Sequence, residues 1–164
     1  MKNDRVLTAI FCDDIRKEEG NKLSYMGVYT GFLGVASFPT ALPRLCVALS
    51  LRVSSDMIPS NELCFRLCID DTVAGEFSVP ADALVAARAN VLKITDDRFT
   101  QFATIFQTFP VQFPGPCFIR ARAICDGEEV KGGSLAVVEQ KDMERAVRAA
   151  AGLEDSPSRN GISQ

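Results

Sequence analysis

The side chains of "RLCVALSLRV" change character at every second position. Leu45, Val47, Leu49, Leu51 and Val53 form one series, and Arg44, Cys46, Ala48, Ser50 and Arg52 the other. That is the alternation of a strand with one face in a core. The next apolar run repeats it, with Leu63, Phe65, Leu67 and Ile69 opposing Cys64, Arg66 and Cys68. Asp70-Asp71 then interrupts before a third run, Val73 to Val79, and predicts a hairpin because Asp tolerates turn conformations. Farther on, "CFIRARAIC" leads through Asp126-Gly127 into "EEVKGGSLAVVE". Asp-Gly between two strand-like runs predicts a type I′ hairpin, whose central residues both need positive φ.

The opening run, Val6 to Cys12, is apolar on both faces, as a centrally packed strand would be. Asp13-Asp14 follow at once, so the strand is read as ending at Cys12 with the acidic pair opening a turn. A second strand runs from Leu23 to Tyr29, with Gly20-Asn21 supplying turn chemistry before it. Gly31, Gly34, Pro39 and Pro43 punctuate the chain up to Arg44, since proline cannot donate to a ladder. "ADALVAARAN" fits a short helix or an irregular crossing equally well. Aromatic and Thr residues from Phe99 to Phe109 favour another strand, closed by Pro110, Pro114, Gly115 and Pro116. After Gln140 the period becomes helical: Met143, Ala146, Val147 and Ala150 share a side, and Gly152 is placed to cap the C-terminus. The expectation is a mostly β chain of about seven to nine strands, an antiparallel β-sandwich of immunoglobulin-like or C2-like kind with a short C-terminal helix. Residues 1–140 would form the sandwich, 141–153 the helix, and 154–164 a disordered tail without apolar period.

Composition narrows the chemistry. With 164 residues and 47% hydrophobic content, one core is the default. No apolar run reaches the roughly 18 residues of a membrane span, and the opening residues do not read as a signal peptide. A net charge of -3 with scattered Lys and Arg argues against a nucleic-acid surface. Histidine is absent, which excludes Ser-His-Asp, Cys-His and His-ligated zinc mechanisms. The six cysteines lie inside apolar runs and read as reduced core thiols of a cytoplasmic protein.

Three sets of residues are weighed as sites. Cys12 sits beside Asp13 and Asp14, but a nucleophilic thiolate needs positive charge nearby, and two carboxylates oppose it. Acidic groups recur at Asp13-Asp14, Asp70-Asp71, Asp96-Asp97, and Asp126 with Glu128-Glu129. Calcium takes several carboxylate and carbonyl oxygens, so Asp13, Asp14, Asp70 and Asp71 form a candidate set. They share one end of a sandwich only if Phe32 to Ala36 counts as a strand. Cys64 and Cys68 share a strand face, and Cys46 is considered as their neighbour on an adjacent strand, but this spacing does not suit zinc. Tyr25 and Tyr29 share parity and are candidates to line a groove. The C-terminal helix offers Met143, Val147 and Leu153, either to its own sheets or to a partner.

The segment "LTAIFCDDIRKEEGNKLSYMGVYTG", with Phe38-Pro39 and "LPRLCVAL" at Leu42 to Leu49, resembles the opening of a family of small, uncharacterised bacterial proteins, some phage-related. The resemblance implies a bacterial, cytoplasmic protein, and it carries over no activity and no catalytic residue. Together these readings lead to a non-enzymatic module that binds a protein partner or itself, with no cofactor, no nucleic acid and no membrane span. A calcium- or small-ligand-binding module using the acidic loops is the alternative. An enzyme acting through carboxylates such as Asp13 or Asp96 ranks third.

Overall fold

The computed structural model describes residues 5–89, 92–93, 98–108 and 110–152. Asp96, Asp97, Phe109, Leu153 and the tail read at 154–164 lie outside the described residues. The strands are β1 (Arg5–Glu18), β2 (Lys22–Val28), β3 (Phe32–Val35), β4 (Thr40–Leu42), β5 (Leu45–Ser54), β6 (Leu63–Ile69), β7 (Thr72–Ser78), β8 (Leu92–Lys93), β9 (Arg98–Thr108), β10 (Val111–Phe113), β11 (Cys117–Cys125) and β12 (Glu128–Glu139). The helices are α1 (Ala81–Ala89) and α2 (Gln140–Ala150), with a 3₁₀ turn at Ser55–Met57. The alanine-rich stretch is therefore helical. No helix among the described residues is long and apolar enough to cross a membrane.

The first sheet has the order β2-β1-β5-β9-β8 and the second β3-β12-β11-β6-β7, with a small β10-β4 pair besides. All pairings are antiparallel except β12 with β3, which run parallel from Ala136↔Phe32 to Glu139↔Val35. The expected purely antiparallel arrangement is corrected here to a mixed second sheet. The cause is the short glycine-flanked strand after Gly31, which returns along β12.

The inner faces of the two sheets meet in one core. Leu7, Val47, Leu49 and Leu51 of the first sheet pack with Leu63, Phe65, Ile119 and Leu135 of the second. Gly132 of β12 lies so close to Leu7 that a Cβ there would sit 2.8 Å from the Leu7 side chain and 3.1 Å from Ala121 Cβ. The period-two reading of β5 and β6 is realised: Leu45, Val47, Leu49, Leu51, Val53, Leu63, Phe65 and Leu67 are all buried. At the β11–β12 turn, Asp126 and Gly127 take φ of 50° and 83°, as a type I′ turn requires.

β1 departs from its reading. It does not stop at Cys12 but runs through Asp13 and Asp14 to Glu18, and the turn to β2 comes at residues 19–21, where Gly20 and Asn21 have positive φ. β1 exchanges partners on the way: residues 5–12 pair with β5, and residues 12–18 with β2. The far half of β1 and β2 thus form an arm that leaves the plane of the sheet.

Candidate functional site

Asp13 and Asp14 sit where β1 changes phase. Up to that point Leu7 and Phe11 face the main core, while Ile10 and Cys12 belong to a second buried cluster on the opposite face. Beyond it the odd-numbered Ile15 joins that second cluster. Cys12↔Val28 and Asp14↔Met26 pair across the arm, and Gly27, opposite Asp13, takes φ +64°. The left-handed Gly27 thus lies opposite the point where β1 changes phase, and β2 changes phase there too. That change separates the tyrosines read as sharing a face. Tyr25 packs in the second cluster and Tyr29 against the main core. Each carboxylate has local work. The Tyr29 hydroxyl donates to Asp13 Oδ1, and Arg44 donates to Asp14 Oδ1 at 2.6 Å with Arg16 at 3.8 Å.

Cys12 is fully buried, and its register partner on β5 is Cys46, also fully buried. Burial above all, then the neighbouring Cys46, Asp13 and Asp14, push the Cys12 thiol up to about 11. Cys46 is raised too, first by burial. Both are protonated at neutral pH and pack as small hydrophobes. Cys46 does not lie beside Cys64 and Cys68, because β5 and β6 belong to different sheets. All six cysteines are free.

Strand directions bring Asp13, Asp14 and the Asp70-Asp71 turn to the same end. Arg5 donates to the Met57 carbonyl and to Glu128, and Asp126 reaches the 60–62 loop; β5 ends and β6 begins there, so Cys12 and Ile69 both lie at the far end. β3 is indeed a strand, which is the condition set for that sharing. At that end Asp70 Oδ1 accepts the Phe118 N–H at 2.9 Å, and its backbone carbonyl accepts Arg120 at 2.9 Å. Among the described residues no group of three or more Cys, Asp or Glu gathers as a metal site would. Asp126 carries a role the sequence reading missed. Its carboxylate accepts the backbone N–H groups of Ser60, Asn61 and Glu62 at 2.6, 2.7 and 2.9 Å. Those bonds, Ser60 foremost, lower its pKa.

The outer faces of the two sheets differ in kind. On the second, register sets Glu76, Arg66, Arg122 and Lys131 in one row across four strands. Arg66 bonds Glu76 at 2.6 Å, and Arg122 lies 3.4 Å from Glu129. Solvated ion pairs thus run across the middle of that face, and Phe118 and Phe32 are exposed toward one end. The first sheet has instead an apolar strip of Ile10, Cys12, Ile15, Cys46, Ala48 and Ile105, largely buried, against which Tyr25 of the arm packs. The angle between arm and sheet forms an open groove of about 780 Å³. Its floor includes Ile10, Ala48 and Ile105, its wall Leu23 and Tyr25. Thr8, Ser50 and Gln107 also line it, and Gln101 Nε2 donates to Ser50 Oγ at 2.6 Å. Lys17 is the one charged side chain in the lining. The volume lies within the roughly 300–1,000 Å³ typical of ligand sites. A single signal in the sequence pointed here: Cys46 and Ala48 stand where a solvated face would carry charge.

The chain belongs to DUF6941, a family of unknown function, whose pattern matches residues 7–138. No curated protein matches it. The matched stretch contains every groove residue named above and stops short of α2.

Proposed function

We propose that this protein is a non-enzymatic binding module that holds another protein, or a second copy of itself, on the outer face of its first sheet. One observation carries the reading: that face has an open groove with a mostly apolar lining of Ile10, Leu23, Tyr25, Ala48 and Ile105, whereas paired charges run across the middle of the second sheet's outer face. A concave, mostly apolar lining with a few polar groups is where proteins hold what they bind. The protonated, buried Cys12 supports the non-enzymatic part, as does the engagement of Asp13 by Tyr29 and of Asp14 by Arg44. The resemblance of the opening segment supports placing the module in the cytoplasm of a bacterium, in a phage-related setting, and the spacing of short strands and turns supports an immunoglobulin-like or C2-like scaffold.

Ile105→Glu places a charge on the groove floor and tests the reading. Light scattering and affinity capture should find self-association or a bound protein with the natural chain and lose it with the variant, at an unchanged circular dichroism spectrum. Monomer alone with nothing captured, or identical behaviour of both chains, would overturn the proposal.

A calcium-binding alternative has one observation in its favour, the placement of Asp13, Asp14 and Asp70 at the same end. Millimolar calcium that raises the melting temperature of the natural chain but not of Asp70→Asn would favour it over the sheet-face reading.

A further inference from the structure

The outer face of the first sheet carries few charges: the Arg44–Asp14 ion pair at the Cys46 end, and two cations besides. Alternation along β5 puts Arg52 on this face, since Leu51 and Val53 are buried inward, and its guanidinium lies 4.3 Å over the Phe99 ring. The phase shift at Asp13 puts Lys17 there as well, in the groove lining. Neither is in an ion pair among the described residues. On the second sheet, by contrast, Arg66 and Arg122 each face a carboxylate. An acidic chain of net charge -3 thus presents, on the sheet face that carries the groove, two cations outside any ion pair among the described residues.

Two consequences follow for the occupant. A second copy docking through the same face would meet it about a two-fold axis, bringing Lys17 and Arg52 toward the same cations of its mate, while the acid at the end of the strip, Asp14, is already engaged by Arg44. A partner that directs both apolar side chains and carboxylates at the face matches it in both respects. Extended chains present every second residue to one side, so the positions turned to the sheet would carry apolar anchors in the middle and carboxylates toward the ends, where the cations stand.

Resting on the binding-module reading, we propose that the outer face of the first sheet binds an acidic, extended segment of a different protein. Its apolar side chains lie on Ile10, Tyr25 and Ile105, and its carboxylates face Lys17 and Arg52.

The probes are three capped peptides of about eight residues, roughly 26 Å when extended, with serine at every second position and, at the positions turned to the sheet, leucine in the middle flanked on both sides by aspartate, asparagine or lysine. Isothermal titration of the natural chain should show the aspartate peptide binding about tenfold tighter than the asparagine one, a difference of about 1.4 kcal/mol. That preference should shrink as salt rises. The double variant Lys17→Glu, Arg52→Glu changes two exposed side chains and should transfer the preference to the lysine peptide. Equal binding of all three peptides, abolished by Ile105→Glu, would overturn the acidic-segment proposal and leave the binding face standing. A dimer in light scattering that Ile105→Glu dissolves would overturn it in favour of a second copy. No binding of any peptide, with no effect of Ile105→Glu on any association, would overturn both.

Discussion

At the residue scale, Gly27 and Asp126 hold positions that no other residue type fills equally well. Gly27 has φ +64°, and a Cβ there would come within 2.7 Å of Asp13 Cγ. Left-handed backbone costs a non-glycine residue roughly 1–2 kcal/mol, and displacing Asp13 also breaks its bond from Tyr29. Gly27→Ala should therefore lower stability by about 2–3 kcal/mol in chemical denaturation. In an Asp13→Ala background the same change should cost only about 1–2 kcal/mol, the backbone part. Equal costs in both backgrounds would show that Asp13 is not what Gly27 accommodates. Asp126 works through its charge. Its folded pKa is depressed by the three N–H groups it accepts, so its contribution is complete above the unfolded carboxylate value near 3.9 and disappears as pH falls through the folded one. Asp126→Asn should cost about 1–2 kcal/mol at pH 7, after allowance for the carboxylate's exposure to water. The gap between the two chains should close as pH drops below about 4. Cys12 makes a third case: with its thiol near 11 and no exposure, iodoacetamide at pH 7.5 should label it only after denaturation.

At the scale of elements, legibility followed how local the cause was. β5, β6 and the β11–β12 hairpin were readable because alternation and an Asp-Gly turn act within a few residues. The course of β1 was not, because Asp13-Asp14 reads as a turn in isolation. What keeps them extended is the pairing with β2, a neighbour that strand propensity cannot name. The parallel β12–β3 pair was hidden for the same reason, since Phe32–Val35 is only four residues long. The groove escaped notice because the shift that puts Ile15 and Lys17 beside Ile10 requires the geometry of Gly27. α2 shows the opposite case, a helix legible from its period whose packing is slight. It contributes no buried residue, and its contact with the sheets centres on Met143 against Gly34. A chain ending at Glu139 should keep a single cooperative unfolding transition and lose about 1 kcal/mol or less. A loss several times larger, or a broadened transition, would mean that α2 is part of the cooperative unit.

At the scale of the molecule, the two sheets divide two tasks, and the division can be tested through Gly132 and Ile105. Gly132 sits on β12 against β1 of the other sheet, with Leu7 and Ala121 in the space a methyl would need. Gly132→Ala must push the sheets apart or displace Leu7, an overpacking that costs typically 1–3 kcal/mol. The outer-face groove, built on the other side of β1 and β5, should be left as it is. Ile105→Glu does the reverse: it alters the groove floor and leaves the inner face, where Phe102 and Phe106 of the same strand pack, in place. If the inner face sets stability and the outer face sets association, Gly132→Ala should lower the denaturation midpoint and keep peptide binding at temperatures well below the transition. Ile105→Glu should lose the binding with a smaller fall in midpoint. Measuring both quantities on both variants separates the tasks. A loss of binding in proportion to stability across the two would mean that the groove has no role apart from the fold.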